Sequence, residues 1–149
     1  LDRDGWLDAA CASYADSMVT VYLNQLSPYR DLGYALAGTG GVVPHCVGYG
    51  SLEEGTTVGF RLSRGLPGAV TFLAVGLNSL YIPLEGGTLV PDFQFIFTLP
   101  VDGDGFSDAL GPLPPGVPAG LELYGQFWVQ DPGGPYGFAA SNAVVGVVP

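Results

Sequence analysis

Short runs of alternating apolar and polar residues, separated by Gly and Pro, dominate the chain. The alternation is clear in residues 58–62 and again in residues 93–99, where Phe93, Phe95, Phe97 and Leu99 share one parity. A period of two predicts a half-buried β-strand in each run. Residues 69–75 are instead apolar at both parities, which predicts a central strand covered on each side.

Breakers fall between these runs, at residues 65–68, 85–87, 102–105, 112–116 and 131–135. Gly and Pro also interrupt every stretch that would otherwise place apolar residues at helical spacing. The pattern therefore predicts an all-β fold: an antiparallel β-sandwich, Ig-like or jelly-roll-like, of roughly seven to nine strands. We place a β-hairpin appendage at residues 1–26 and the sandwich domain at residues 27–149, because Pro28 limits strand pairing at the boundary.

The chain has 24 Gly and 13 Pro among 149 residues, yet 48% of its residues are hydrophobic, so it is rich in turns and still able to bury a core.

Charge and the length of the apolar runs exclude several classes of partner. Fourteen acidic residues against four cationic ones give a net charge of −10. Such a surface repels phosphate backbones, so we expect no nucleic-acid partner. No apolar run reaches the roughly 18 residues of a membrane span, and none is expected.

Two acidic loops share one spacing. Asp2, Asp4 and Asp8 surround Gly5, and the set Asp102, Asp104 and Asp108 surrounds Gly105 in the same way. Alternating carboxylates in a tight turn suit Ca²⁺, a cation that prefers hard oxygen ligands. The alternative is that Asp-Gly pairs simply form hairpin turns, and neither loop has the Glu that completes an EF-hand.

The first loop and the two apolar runs that follow it, ending in Leu23 and Asn24, resemble the end of an FG-GAP/VCBS-type repeat. From Asp31 onward the chain is similar to a C-terminal β-sandwich module of secreted bacterial proteins that carry FG-GAP repeats. The residues that carry this second likeness are 31–33, 38–41, 86–91, 126–128 and 140–143. The resemblance implies a shared fold and a secreted or cell-surface location, and it implies no catalytic residue.

Cys11 and Cys46 are the only cysteines. An even pair in a chain of exported character predicts a disulfide between them. That bond would close a loop of about 36 residues and contribute roughly 4 kcal/mol in the chain-entropy model. The alternative is two buried thiols that act as small apolar side chains.

Catalytic candidates are few. His45 and Cys46 are adjacent, but neighbours on a strand point to opposite faces and cannot act on each other. Glu53 and Glu54 precede a Gly, as acids in a solvated loop do. The sequence contains one His and no Lys, so we expect a protein that is not an enzyme.

Residues 121–130 predict a strand with two distinct faces. One face carries Tyr124, Gln126, Trp128 and Gln130. If exposed, these side chains would form a platform for a sugar ring or a protein partner. Alternatively, another element of the chain covers them, with the N-terminal hairpin as the first candidate.

Assembly is the remaining expectation. An isolated two-stranded hairpin is marginal in water, so it needs the chain's own sandwich edge, preceding repeats or a neighbouring copy joined by strand addition. Residues 143–148 are an uncharged, β-prone strand at the other end of the chain, an edge hazard unless paired. The leading function is a non-catalytic extracellular structural module, such as a self-assembling fibre or surface-layer subunit. The alternative is a Ca²⁺-dependent carbohydrate-binding or adhesion domain.

The loop of Asp2, Asp4 and Asp8 makes a direct prediction about calcium. Because a ligand that binds the native state stabilises it, added Ca²⁺ should raise the melting temperature. The measurement is a thermal scan in Ca²⁺ and in EGTA. An unchanged melting temperature in the two buffers would count against any structural ion.

Overall fold

The computed structural model describes the backbone of residues 9–13, 18–22 and 27–149, and the side chains of residues 27–149. Two short 3-10 turns, Thr39–Gly41 and Pro135–Gly137, accompany the strands. No helix in the described ranges is long and apolar enough to cross a membrane. The predicted all-β class is confirmed. The strands are β1 (Ala9–Ser13), β2 (Met18–Tyr22), β3 (Tyr29–Gly33), β4 (His45–Tyr49), β5 (Thr57–Ser63), β6 (Val70–Gly76), β7 (Ser79–Leu84), β8 (Gly87–Pro91), β9 (Phe95–Pro100), β10 (Ser107–Pro112), β11 (Glu122–Gln130), β12 (Phe138–Ala140) and β13 (Ala143–Val147).

Two antiparallel sheets face each other in residues 27–149. The small sheet has the order β10-β5-β4, and the large sheet has the order β3-β13-β11-β6-β9, with β12 also paired to β11. Phe60 and Leu62 of β5 pack against Leu73 and Phe127 of the large sheet. Gly125 lies beneath the Phe60 ring, where a Cβ atom would come within 2.6 Å of the ring. The predicted sandwich is therefore present, with its main core between these two sheets.

A third layer covers the outer face of the large sheet. Strands β7 and β8 form a two-stranded ribbon, and Leu89 of that ribbon packs with Ala74 and Trp128. Val90 joins a neighbouring cluster with Tyr124. Strand β6 is thus buried towards both layers at its centre, as the two-sided apolar pattern of residues 69–75 predicts.

The side chain of Gln126 fixes the ribbon to the sheet. Its Oε1 accepts a hydrogen bond from the Val90 amide at 3.0 Å, and its Nε2 donates to the carbonyls of Thr88 at 3.1 Å and Ser141 at 3.2 Å. The amide is fully buried, so these bonds satisfy polar groups that water cannot reach. One side chain therefore joins β8, β11 and the residue that follows β12.

The C-terminal strand is an interior strand. β13 pairs with β11 on one side and with β3 on the other, and residues 143–146 are buried. The edge hazard expected for residues 143–148 is therefore absent, because both edges of this strand are paired.

The predicted disulfide between Cys11 and Cys46 finds no support in the structure. Cys46 is a free thiol in the main core, packed among Phe60, Leu62 and Phe127. A partner sulfur would have to enter that close-packed interior and displace apolar side chains. The side chain of Cys11 lies outside the described residues.

Gln126 offers a test of the three-layer arrangement. The change Gln126→Leu removes the side-chain partner of the buried Val90 amide and one hydrogen bond from each of two carbonyls, and each lost partner in a buried site costs about 1–3 kcal/mol. We expect a loss of about 3–5 kcal/mol in the free energy of unfolding, measured by urea denaturation. Gln130→Leu is the matched control, since Gln130 lies on the same strand and is exposed. Equal effects of the two changes would contradict the assignment.

Candidate functional site

The acidic loop that contains Asp102 and Asp104 forms a tight turn. Asp102 Oδ1 accepts hydrogen bonds from the amides of Asp104 at 2.9 Å and Phe106 at 2.8 Å, which is the geometry of an Asp-initiated turn. Asp108 lies beyond the turn on β10 and pairs with Arg61, whose guanidinium nitrogens lie 3.2 Å from the carboxylate. Within residues 27–149 no group of three metal-ligating side chains is brought together. Ca²⁺ binding stays a prediction here.

The first acidic loop, with Asp2, Asp4 and Asp8, lies outside the described residues. The second loop is a local turn, closed by the hydrogen bond from the Gly105 amide to the Asp102 carbonyl at 3.2 Å. It is not a hairpin turn, because it joins β9 of the large sheet to β10 of the small sheet. For the first loop, the sequence alone supports the calcium expectation.

The expected platform on β11 is covered. Tyr124, Gln126 and Trp128 are buried, and of the four side chains only Gln130 is exposed. The covering element is the β7–β8 ribbon, through Leu89 and its neighbours. Tyr124, Gln126 and Trp128 therefore form no exposed platform. The alternative, cover by another element of the chain, is observed, and the ribbon is found where the N-terminal hairpin was the first candidate.

The candidate nucleophile and acids do not form a catalytic group. His45 is exposed whereas Cys46 is buried, as expected for neighbours on opposite faces of a strand. Burial raises the pKa of the Cys46 thiol, which disfavours the thiolate that would act as a nucleophile. Glu53 and Glu54 are exposed, and Glu53 accepts a hydrogen bond from the Ser51 hydroxyl within the same turn.

Strand β9 exposes large apolar side chains. Its sequence predicts a half-buried strand, yet Phe95 is 58% exposed, Ile96 60% and Phe97 48%. Among the described strands, β6 pairs with one edge of β9 and none pairs with the other. The prediction of half-burial is therefore wrong for these residues, because no described layer lies over either face at this edge.

An apolar groove lies beside this exposed edge, between the two sheets. Phe97 and Leu99 of β9, Leu73 and Val75 of β6 and Ala109 of β10 contribute to its lining, and its volume is about 600 Å³. Strand β10, on the other side of the groove, is the edge of the small sheet. The sandwich is thus open along one side, with apolar walls and a strand edge at its mouth.

The β9 edge has few of the features that protect edge strands. Residues 93–101 carry no charge, and the whole chain has no Lys. Natural edges are normally blunted by charged side chains, Pro or bulges, and here Pro100 at the end of the strand is the single such feature within β9. An uncharged, aromatic edge of this kind favours pairing with another strand.

The opposite edge of the same sheet, β3, is protected. It exposes Arg30 and Asp31, and the Asp31 carboxylate accepts a hydrogen bond from the Gly33 amide at 2.7 Å. The β3–β13 pairing also shifts register between Ala143 and Val144. The two edges therefore differ in chemistry, and β9 is the one suited to accept a strand.

Comparisons of this chain with protein-family models, with curated proteins and with solved structures find no match.

The exposure of β9 predicts that its exposed side chains contribute little to the free energy of unfolding. Because Ile96 is 60% exposed, Ile96→Thr should change the free energy of unfolding by about 0.5 kcal/mol or less. Leu73→Ala on the paired strand β6 should cost about 2–5 kcal/mol, since Leu73 is buried in the core. Urea denaturation of dilute protein measures both. A large loss from Ile96→Thr would mean that β9 is covered within the single chain.

Proposed function

We propose that this chain is a non-catalytic extracellular structural module that self-associates by β-strand addition at β9. The observation that carries the proposal is the uncharged edge of β9, with which no described strand pairs. Phe95 and Ile96 are more than half exposed there, and Phe97 lines an apolar groove. A strand added there gains main-chain hydrogen bonds from the edge and side-chain contacts from the groove.

The magnitudes show why both the edge and the groove are needed. Each new main-chain hydrogen bond contributes about 0.5–1.5 kcal/mol. Covering the exposed half of Phe95, Ile96 and Phe97 contributes about 1 kcal/mol per side chain. Association itself costs about 4–15 kcal/mol. The main-chain hydrogen bonds and the covered side chains of β9 therefore roughly offset the cost of association and leave little net stabilisation. Side chains that fill the groove supply the remaining stabilisation.

Charge opposes this association. Two copies that each carry −10 repel each other. Salt screens the repulsion between exposed charges, whereas it does not weaken the stabilisation that comes from burying apolar surface. Self-association should therefore strengthen as ionic strength rises, which is the reverse of an interface built on ion pairs.

The extracellular setting is supported by the sequence. The likeness of the N-terminal residues to an FG-GAP/VCBS-type repeat and of the remainder to a module of secreted proteins both favour it. The buried, protonated Cys46 and the isolated, exposed His45 favour a role without catalysis.

The alternative, a Ca²⁺-dependent carbohydrate-binding or adhesion domain, loses its main sugar-stacking surface. Tyr124 and Trp128 are buried beneath the ribbon. Exposed Tyr34 and Tyr81 lie with ring centroids 5.3 Å apart, but their planes are inclined by 59°. Two rings at that angle do not present one flat face to a sugar.

The proposal predicts the effect of charge placed on β9. The double change Phe95→Lys and Ile96→Lys should abolish self-association, because two ammonium groups cannot be buried in a strand interface. The same change lowers the net negative charge and so weakens the general repulsion between copies. Loss of self-association could therefore not be attributed to increased repulsion. Sedimentation velocity and electron microscopy measure the assembly, at low and at high salt.

The control is Leu80→Lys with Leu84→Lys, which adds the same charge to exposed apolar positions on β7. That variant should assemble like the wild type. Wild-type protein that remains monomeric at all salt concentrations, or a β9 variant that assembles normally, would contradict the proposed function.

A further inference from the structure

We infer that the strand accepted by β9 is β2 of a neighbouring copy, so that each chain donates its N-terminal hairpin to the next. This inference rests on the proposed function, because it names the partner of the same edge. It is supported by the pairing needs of β2, by its match to β9 and by the short length of chain that joins β2 to β3.

One edge of strand β2 is paired with no other described strand. It pairs with β1 along its full length, from Met18 opposite Ser13 to Tyr22 opposite Ala9. The two strands form a sheet of their own, separate from the other sheets of the described chain. A two-stranded sheet is marginal in water and gains from a third strand.

The composition of β2 suits the β9 edge. Its five residues read Met-Val-Thr-Val-Tyr, without charge and with strong β propensity. β9 is six residues long and also uncharged. β1, by contrast, is Ala-rich and offers little apolar bulk to fill a groove. Of the two hairpin strands, β2 is therefore the better donor.

Chain geometry prevents a copy from filling its own edge. The chain reaches the large sheet at Pro28, whose carbonyl accepts a hydrogen bond from the Val147 amide at 3.1 Å. Pro28 directly precedes β3, which lies at the opposite edge of the large sheet from β9. A strand added beyond β9 would lie five strand spacings from β3, or about 24 Å at about 4.8 Å each. The six steps from Tyr22 to Pro28 span at most about 22 Å when fully extended.

A neighbouring copy is therefore required, and this decides the form of the assembly. The donor and the acceptor are different surfaces, because β2 belongs to the hairpin sheet and β9 to the large sheet. Contacts of this kind are head-to-tail, and they produce open filaments unless the rotation between copies closes a ring. Pairing of β9 with β9 would instead stop at a symmetric dimer.

The test uses two full-length variants that each lack one half of the contact. The acceptor variant carries Phe95→Lys and Ile96→Lys, and the donor variant carries Val19→Lys and Val21→Lys. Neither should form filaments alone. Mixed together, they should form a 1:1 heterodimer that does not extend, because one copy keeps a working β9 and the other a working β2. Sedimentation velocity with one variant labelled measures this complex.

The control for the donor is Tyr14→Lys with Ser17→Lys, which adds the same charge in the segment between β1 and β2. It should form filaments as the wild type does. Far-UV circular dichroism checks that each variant keeps its strand content, and formation of the heterodimer itself requires two folded copies.

The outcomes separate the two proposals. If the acceptor variant still assembles, the proposed function is wrong. If the acceptor variant stays monomeric but the donor variant forms filaments or symmetric dimers, β9 is the accepting edge and the inference about β2 is overturned. Absence of the mixed heterodimer, with both variants folded, also overturns it.

Discussion

The large sheet is apolar on both faces, and such a sheet is stable in water only where other layers cover each face. Most of the chain's remaining structure serves this requirement. The small sheet covers the inner face at β11 and β13, through clusters that contain Phe127 and Val144. The β7–β8 ribbon covers the outer face around Trp128. Cover is incomplete at β9, where Phe95 and Ile96 remain more than half exposed.

The position of the ribbon explains why cover runs out at this edge. Gln126 holds β8 over β11 through two hydrogen bonds, one from the Val90 amide and one to the Thr88 carbonyl. Moving the ribbon towards β9 would break these bonds and leave polar groups unpaired, which is costly in a buried site. The small sheet has only three strands and leaves the groove beside β10 open. The open side is thus a consequence of how the two covering layers are fixed in place.

Local patterns in the sequence predicted the elements well but could not predict what covers them. Period-two alternation at Val58, Phe60 and Leu62 gives a buried face in β5, as observed. The same alternation in β9 leads to exposed phenylalanines, because a pattern shows which residues are apolar and not whether a layer lies above them. The face of Tyr124 and Trp128 was uncertain for the same reason. Its cover comes from residues 79–91, far away in the sequence.

The environments of the C-terminal strand and of Cys46 could be known only from the three-dimensional structure. The C-terminal strand looked like a hazardous edge, yet insertion between β11 and β3 makes it an interior strand. The count of two cysteines suggested a disulfide, whereas the core position of Cys46 follows from its register opposite Leu62 on β5. Strand order decides both outcomes, and no local signal in either segment specifies that order.

The central claim is that β9 is an open edge in the single chain and a paired strand in the assembly. Amide hydrogen exchange, read residue by residue in dilute and in assembled protein, tests it most directly. We predict that amides of β9 directed away from β6 exchange rapidly in the single chain and become strongly protected on assembly, while the amides of β11 stay protected in both states. Assembled protein in which the β9 amides exchange as fast as in the single chain would contradict the account.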